Sequence, residues 1–492
     1  MTNVVIVGAG PAGLAAADAA LRAGAEVTLL DSAPLPGGQF HRMLPTAYAA
    51  RHPERVHHGW AAFDRLRRRV LEHPRCAWWP DSTVWALEAC GERRVADGAG
   101  QAAPRGLTDG AGQAVRGGAD WAERAAARWA PRVQVLRGLA DGTGRARYVL
   151  EPDALVLATG AHDRVLPFPG WQLPGVFTAG AAQALAKGER VAIGERVVVA
   201  GSGPFLLPAT ASLLEAGSHV LSVFEANSPG TILRGWGSRP WEVAGKAGEL
   251  LGYVAGQVRR GVPYRMGRAV VAARGDGRVE EIVVASLRAD WSVVPGTERT
   301  FAVDAVCVSH GFSAQLELPV VAGCELTDAG FVAVRADQRT SVAGVYAAGE
   351  ITGIAGAPAA AAEGTVAGWC AAGREPNRAD VRRVVAGQAF AARLARAHPI
   401  GTGWPGWLTP ETVICRCEET SYDTLCAAAA DPSKMDGRAL RLTTRAGLGP
   451  CQARMCGPTV AELTRSRPTH RRPIAQPIRL GELAESPLQK ED

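Results

Sequence analysis

The stretch Val4-Val5-Ile6-Val7-Gly8-Ala9-Gly10-Pro11-Ala12-Gly13 decides the fold of this chain. Four apolar residues in a row read as a strand buried on both faces, the pattern of a parallel sheet. The glycines follow at once, Leu14 to Ala23 reads as a helix, and a second strand, Glu26 to Leu30, ends in Asp31. That is one βαβ unit carrying a dinucleotide-binding fingerprint. In such a unit Gly8 makes the tight turn, Gly10 lets the backbone approach a pyrophosphate, and Gly13 lets helix and strand pack closely. The helix start at Pro11 and Ala12 offers free N–H groups and a positive dipole end to the phosphates. Asp31 is placed to accept from a ribose hydroxyl.

A second unit of the same kind begins at Glu195. The strand Arg196 to Ala200 runs into Gly201-Ser202-Gly203-Pro204-Phe205-Leu206-Leu207-Pro208, a helix continues to about Ala216, and the strand from His219 ends at Glu225. Gly201, Gly203 and Glu225 are the nucleotide-binding candidates here. Leu206 stands where the third glycine belongs and is expected to push helix and strand apart, and Pro208 to kink the helix. A working nucleotide site and a bare scaffold both stay open.

Composition narrows the class. Of 492 residues 47% are hydrophobic and 21% charged, ordinary globular values that supply two or three packed domains. The 54 basic residues include only four Lys, and they are scattered among 48 acids for a net charge of +6. A nucleic-acid binder concentrates its cations, so that class is set aside. No stretch of about 20 apolar residues runs unbroken, so no membrane span is expected, although peripheral association stays open. The first apolar run follows no basic segment, which argues against a signal peptide. The ten cysteines are then expected in a reducing, cytoplasmic compartment, serving metal or redox chemistry rather than disulfides. Residues 91–127 shift to Gly, Ala, Arg and Asp and read as a surface excursion, part loop and part helix around Trp121 to Trp129.

Two more apolar strands end in small-residue turns, Leu155-Val156-Leu157-Ala158-Thr159-Gly160 and Val345-Tyr346-Ala347-Ala348-Gly349-Glu350. The order of all these signals resembles the two-dinucleotide-binding-domain flavoproteins, of the glutathione or thioredoxin reductase architecture. The resemblance implies an α/β chain with a Rossmann-like FAD domain and an inserted second nucleotide-binding domain. It places FAD on the first fingerprint, with Gly38 and Gln39 of Gly37-Gly38-Gln39, Thr159 and Gly160 along the flavin, and Gly349 and Glu350 at its ribityl-pyrophosphate region. The second site would hold NAD(H) or an adenine nucleotide. The pattern fails where disulfide reductases carry their redox pair: residues 32–75 contain no Cys, and neither does the second βαβ unit. The isolated thiols Cys76, Cys90, Cys307, Cys324 and Cys370 read as buried structural residues.

Near the C-terminus, Cys415 and Cys417 form CxC, and Cys451 and Cys456 form CxxxxC after 33 intervening residues. Four thiolates at two stations suit zinc or an iron–sulfur cluster. CxC followed by Gly447-Leu448-Gly449-Pro450-Cys451 resembles a bacterioferritin-associated-ferredoxin-like [2Fe–2S] domain, small and helical. Cys426, between the pairs, is expected in its core. The segments Ala158–Arg164, Pro167–Val176 and Ala179–Gln183, with the cysteine pattern, extend the resemblance over residues 1–480. It is to the large flavoprotein subunit of bacterial amino-acid-oxidising complexes: hydrogen cyanide synthase, opine oxidases, and dye-linked proline and hydroxyproline dehydrogenases. The tail at Arg471-Arg472-Pro473-Ile474 resembles theirs too.

The resemblance divides the chain into an FAD-binding first part (1–165), an inserted nucleotide-binding domain (166–302), an FAD-binding second part (303–375), a linker (376–410), a [2Fe–2S] domain (411–465) and a tail (466–492). It implies a smaller partner subunit similar to amino-acid oxidases, which oxidises an amino or imino acid while this chain passes the electrons to a quinone or other acceptor. A further small ferredoxin-like subunit and FMN at the subunit interface belong to the same picture. The alternative is a self-sufficient NAD(P)H-dependent FAD/[2Fe–2S] oxidoreductase. A third reading, a non-catalytic module with a structural metal, is excluded by any flavin with a reducible cluster. No residue reads as an acid–base catalyst; His162, Asp163 and His310 read as satisfied loop residues.

Overall fold

The computed structural model describes residues 1–55, 57–90, 130–237, 251–430, 437–466 and 474–488. The excursion at 91–127 and the arginines at 471–472 lie outside them. Two units share one plan. In the first, a five-stranded parallel sheet runs in the order Val345–Ala347, Ala154–Leu157, Asn3–Val7, Glu26–Leu30, Cys76–Trp79. In the second, the order is Tyr264–Met266, His219–Glu225, Arg196–Gly201, Ala305–Ser309, Val176–Thr178, again parallel. Each unit adds a three-stranded antiparallel sheet, Ser82–Cys90 with Ala130–Arg137 and Ala146–Leu150 in the first, Arg268–Arg274 with Glu281–Ser286 and Arg299–Ala302 in the second. The crossover between units is a ribbon of Ala161–Asp163 paired antiparallel with Phe312–Ala314.

The first sheet forms because its strands are apolar on both faces: Val4, Ile6, Leu29, Leu155 and Val345 are fully buried. Above it the helix Pro11–Arg22 crosses the helix Ala357–Ala371 at very close range. A Cβ on Gly364 would come within 2.0 Å of the Ala12 carbonyl oxygen, and one on Gly368 within 2.2 Å of that of Ala16. The Gly364-xxx-Gly368 spacing therefore brings two helix N-termini, at Pro11 and at Ala357, to the same end of the sheet.

Two expected boundaries move. The strand Ala305–Ser309 pairs beside Arg196–Gly201 in the centre of the second sheet, so the inserted domain reaches past 302 to the ribbon. Residues 376–410 are no extended linker: Arg378–Ala397 is a 20-residue helix, capped by Asn377, that packs on the helices Ala357–Ala371 and Pro229–Trp236. Its end leads into a buried tryptophan cluster, Trp291, Trp404 and Trp407, against Leu166 and Ala269 of the second unit. Trp407 Nε1 donates to the Trp291 carbonyl at 3.0 Å. Residues 474–488 strap back across the first unit's antiparallel sheet, where Ala475 N donates to the Trp85 carbonyl and Arg145 makes a two-pronged contact with Glu482 at 2.7 and 2.8 Å.

Candidate cofactor site and cysteine centre

The first glycine loop is a cradle that side chains would fill. A Cβ on Gly13 would lie 1.7 Å from the Gly8 carbonyl oxygen, so only glycine lets the helix begin at Pro11, directly after Gly10. Gly38 closes over Gly10, with 3.0 Å from its Cβ position to the Gly10 Cα, and Gly349 sits against Ala12. Asp31 accepts from Ala9 N at 2.6 Å through Oδ2 and from Ala33 N at 2.8 Å through Oδ1. Each carboxylate oxygen keeps lone-pair capacity for a ribose hydroxyl. Gly160 accepts from Gln315 N and Thr159 Oγ1 donates to the Gln315 carbonyl, both at 3.0 Å, which fixes the turn at the sheet's end. Gln39 is exposed beside the loop. Gly8, Gly10, Pro11, Ala12, Gly13, Asp31, Gly38, Thr159, Gly160, Gly349 and Glu350 thus meet at one mouth, and this cradle fits an FAD.

Glu350 turns inward, its Oε1 accepting from Gly356 N at 2.8 Å ahead of the helix Ala357–Ala371. A second carboxylate escaped the sequence reading. Glu363 Oε2 accepts from Gly349 N at 2.8 Å and from Thr352 Oγ1 at 2.7 Å, and burial pushes its pKa up to about 7. The signal was present: Glu363 is the one charged residue in the helix Ala357–Ala371, and a lone carboxylate in an apolar helix needs buried donors.

The second glycine loop is built differently. Its helix starts at Leu206, not at Pro204, and Leu206 is fully buried in the core with Val197 and Val199. The leucine is accommodated by moving the helix start three residues beyond Gly203. Pro208 then falls in the first turn, where its missing N–H breaks no bond, so the expected kink has no cause. Glu225 is 0% exposed and faces no ribose seat. Its oxygens accept from Gly203 N at 2.8 Å, Asn227 N at 3.0 Å, Asn227 Nδ2 at 3.2 Å and Tyr264 Oη at 3.4 Å, and His398 Nδ1 stands 3.4 Å away. Glu225 thus lies buried between the glycine loop and the end of the helix Arg378–Ala397. Gly201 packs as Gly8 does, its Cβ position 1.6 Å from the Ser309 carbonyl oxygen as that of Gly8 is 2.3 Å from the Ala158 carbonyl oxygen.

Cys415 and Cys456 are buried, Cys451 half-buried and Cys417 exposed. They make two thiol–thiol contacts, Cys456 with Cys415 and Cys417 with Cys451. The Cys456 hydrogen bond, helped by Gly447 N 3.5 Å from the sulfur, holds Cys415 down to about 5. Among the described residues no three Cys, His, Asp or Glu side chains converge on one point as a mononuclear site requires. Backbone strain gathers at this centre: Glu419, Arg445, Gln452 and Ala453 all have left-handed φ. Cys426 is exposed, contrary to expectation, because the buried face of its helix Tyr422–Ala429 is Leu425 and Ala428. Burial pushes Cys76, Cys324 and Cys370 up to about 11, as suits inert thiols. His310 is buried, pushed down to about 3, and accepts from Leu166 N through Nδ1, a structural role.

Residues 2–364 match the family described as pyridine nucleotide-disulphide oxidoreductase. The chain belongs to that family. Its relatives include an opine oxidase subunit of Agrobacterium tumefaciens (strain Ach5), 32% identical, with 99% of this chain and 92% of the relative covered. Hydrogen cyanide synthase subunit HcnB of Pseudomonas aeruginosa is 30% identical over 92% of this chain and 90% of its own. Among solved structures, L-proline dehydrogenase from P. horikoshii superposes with a TM-score of 0.61 over 98% of this chain and 79% of that one, at 17% identity, which speaks for the fold. This family member is an FAD-dependent oxidoreductase of the flavoprotein-subunit group found in amino-acid-oxidising enzymes. Among its described residues no helix is long and apolar enough to cross a membrane.

Proposed function

We propose that this chain is the FAD- and [2Fe–2S]-containing subunit of an amino-acid or amine dehydrogenase complex. A smaller amino-acid-oxidase-like flavoprotein subunit oxidises an amino or imino acid in a reducing, cytoplasmic compartment. This chain passes the electrons to a quinone or other acceptor. The observation that carries the reading is the contrast between an equipped first site and a second site whose acid is already saturated. Glu225 has no free face for a nicotinamide nucleotide's ribose, so the reductant comes from a partner. Four neighbouring thiols suit thiolate ligation of zinc or an iron–sulfur cluster, and the CxC and CxxxxC spacing supports the cluster. When bound, a flavin takes up electrons in pairs and releases them singly to a one-electron carrier. The chain's own residues do the rest: Asp31 and the glycine loop hold the dinucleotide, and Cys415, Cys417, Cys451 and Cys456 hold the cluster.

The test is an anaerobic titration of the purified chain with NADH, then NADPH, then dithionite, following flavin and cluster absorbance. Bleaching by dithionite alone is expected. Fast bleaching by NADH would overturn the reading in favour of a self-sufficient oxidoreductase, and an iron-free chain would remove the cluster.

A further inference from the structure

The loop that carries two of the four thiols is tied to the flavin-side turn by two arms. One arm runs through Gln315, which is bonded to Gly160 and Thr159, to Glu317 two residues on. Glu317 Oε1 lies 2.8 Å from Arg454 Nε, with the side chains 14% and 19% exposed. Arg454 sits between Cys451 and Cys456. The other arm continues from Gly160 through Ala161 to His162, whose ring lies against the Arg454 backbone. The same arginine reaches on to the carbonyls of Cys451 and Ala475 at 3.4 and 3.5 Å. Its neighbour Met455 packs on the core of the second unit.

The guanidinium of Arg454 is therefore held by Glu317, and its backbone lies against His162. A largely buried ion pair contributes little to stability by itself, because desolvation offsets the attraction. What it provides is geometry, and a fixed charge of each sign beside whatever the thiols hold. From this geometry we propose that the Arg454–Glu317 pair is a positioning element of the proposed electron-transfer centre. It holds the Cys451–Cys456 loop against the flavin-side turn, and its two charges set the cluster's reduction potential. The inference rests on the cluster reading above. Reduction adds negative charge to the cluster, so the guanidinium favours the reduced form and the carboxylate opposes it.

The experiment is potentiometric titration of the full chain, purified anaerobically, with the reduced cluster followed by electron paramagnetic resonance. Iron and acid-labile sulfide are measured on each sample. Glu317→Gln is expected to shift the cluster towards the reduced form about tenfold, an upward move of about 59 mV for a one-electron couple. Arg454→Gln is expected to shift it about as far downward, and Arg454→Lys, which keeps the charge, to stay within about threefold. Loss of packing alone would not give shifts of opposite sign. Iron-replete variants whose potentials are unmoved, or move in the same direction, overturn the proposal and leave the cluster reading standing. Absence of iron from the unsubstituted chain overturns both. If Glu317→Gln loses iron, recovery by Glu317→Asp supports the positioning role and failure to recover overturns it.

Discussion

The first and second glycine loops share a plan of strand, loop, helix and strand-end acid, yet they have reached opposite states. In the first, Gly13 lets the helix start against the strand, and Asp31 stands half-buried at the mouth with capacity to spare. In the second, Leu206 has displaced the helix start, and Glu225 has turned into the fold to hold Gly203, Asn227 and Tyr264 together. The difference goes with the third glycine position, because a helix dipole and its free N–H groups serve a ligand only where the helix reaches the loop.

The contrast is most exposed at the third glycine. Gly13→Ala would place a methyl group 1.7 Å from a carbonyl oxygen, and flavin affinity is expected to fall on the order of 100-fold, read as lost flavin after purification. Leu206→Ala should leave flavin content unchanged and cost about 2–5 kcal/mol in urea unfolding, the usual cost of a buried leucine. Flavin loss in both variants would erase the distinction. The two acids sharpen it further. Asp31→Asn should weaken flavin binding and cost about 1 kcal/mol, since its amide nitrogen cannot accept from both Ala9 N and Ala33 N, whereas Glu225→Ala should cost about 3 kcal/mol by stranding buried donors, with flavin retained.

Acidity offers a third approach. Glu363 ordinarily titrates near 4.5 and is raised to about 7, so the folded flavin-free chain binds this proton more tightly than the unfolded one. Its contribution is intact below about pH 4.5 and is lost as pH rises to 7, by about 3 kcal/mol. Urea midpoints between pH 5 and 7.5 should fall with pH in the parent and fall less in Glu363→Gln; equal slopes would refute the assignment. The smallest effect is expected at the exposed thiol. Cys426→Ser should change stability by less than about 0.5 kcal/mol and leave iron content alone, while Cys451→Ser loses iron.

Much of this was legible in the residues. Unbroken apolar runs ending in Gly or acid give the parallel strands, and the paired cysteine spacing marks the C-terminal centre, because both are local patterns with one dominant cause. The misplaced boundary at 302 came from a central strand, Ala305–Ser309, that looks identical whichever sheet receives it. The supposed linker at 376–410 hid a helix whose apolar stripe is interrupted by arginines. Cys426 was misjudged because one residue's step round a helix exchanges core for solvent.

By itself, the sequence determined the two dinucleotide folds, the missing redox pair and the four-thiol pattern, since each is written in short spacings along the chain. Only the tertiary structure decided that Glu225 is consumed internally, that Glu363 faces Gly349, and that Arg454 bridges the cysteine loop to Glu317. The Glu363 contact spans only 14 residues and the Arg454 contact many more, and in neither does a local pattern specify which donor a buried carboxylate will meet. Burial makes the pairing obligatory; packing chooses the partner.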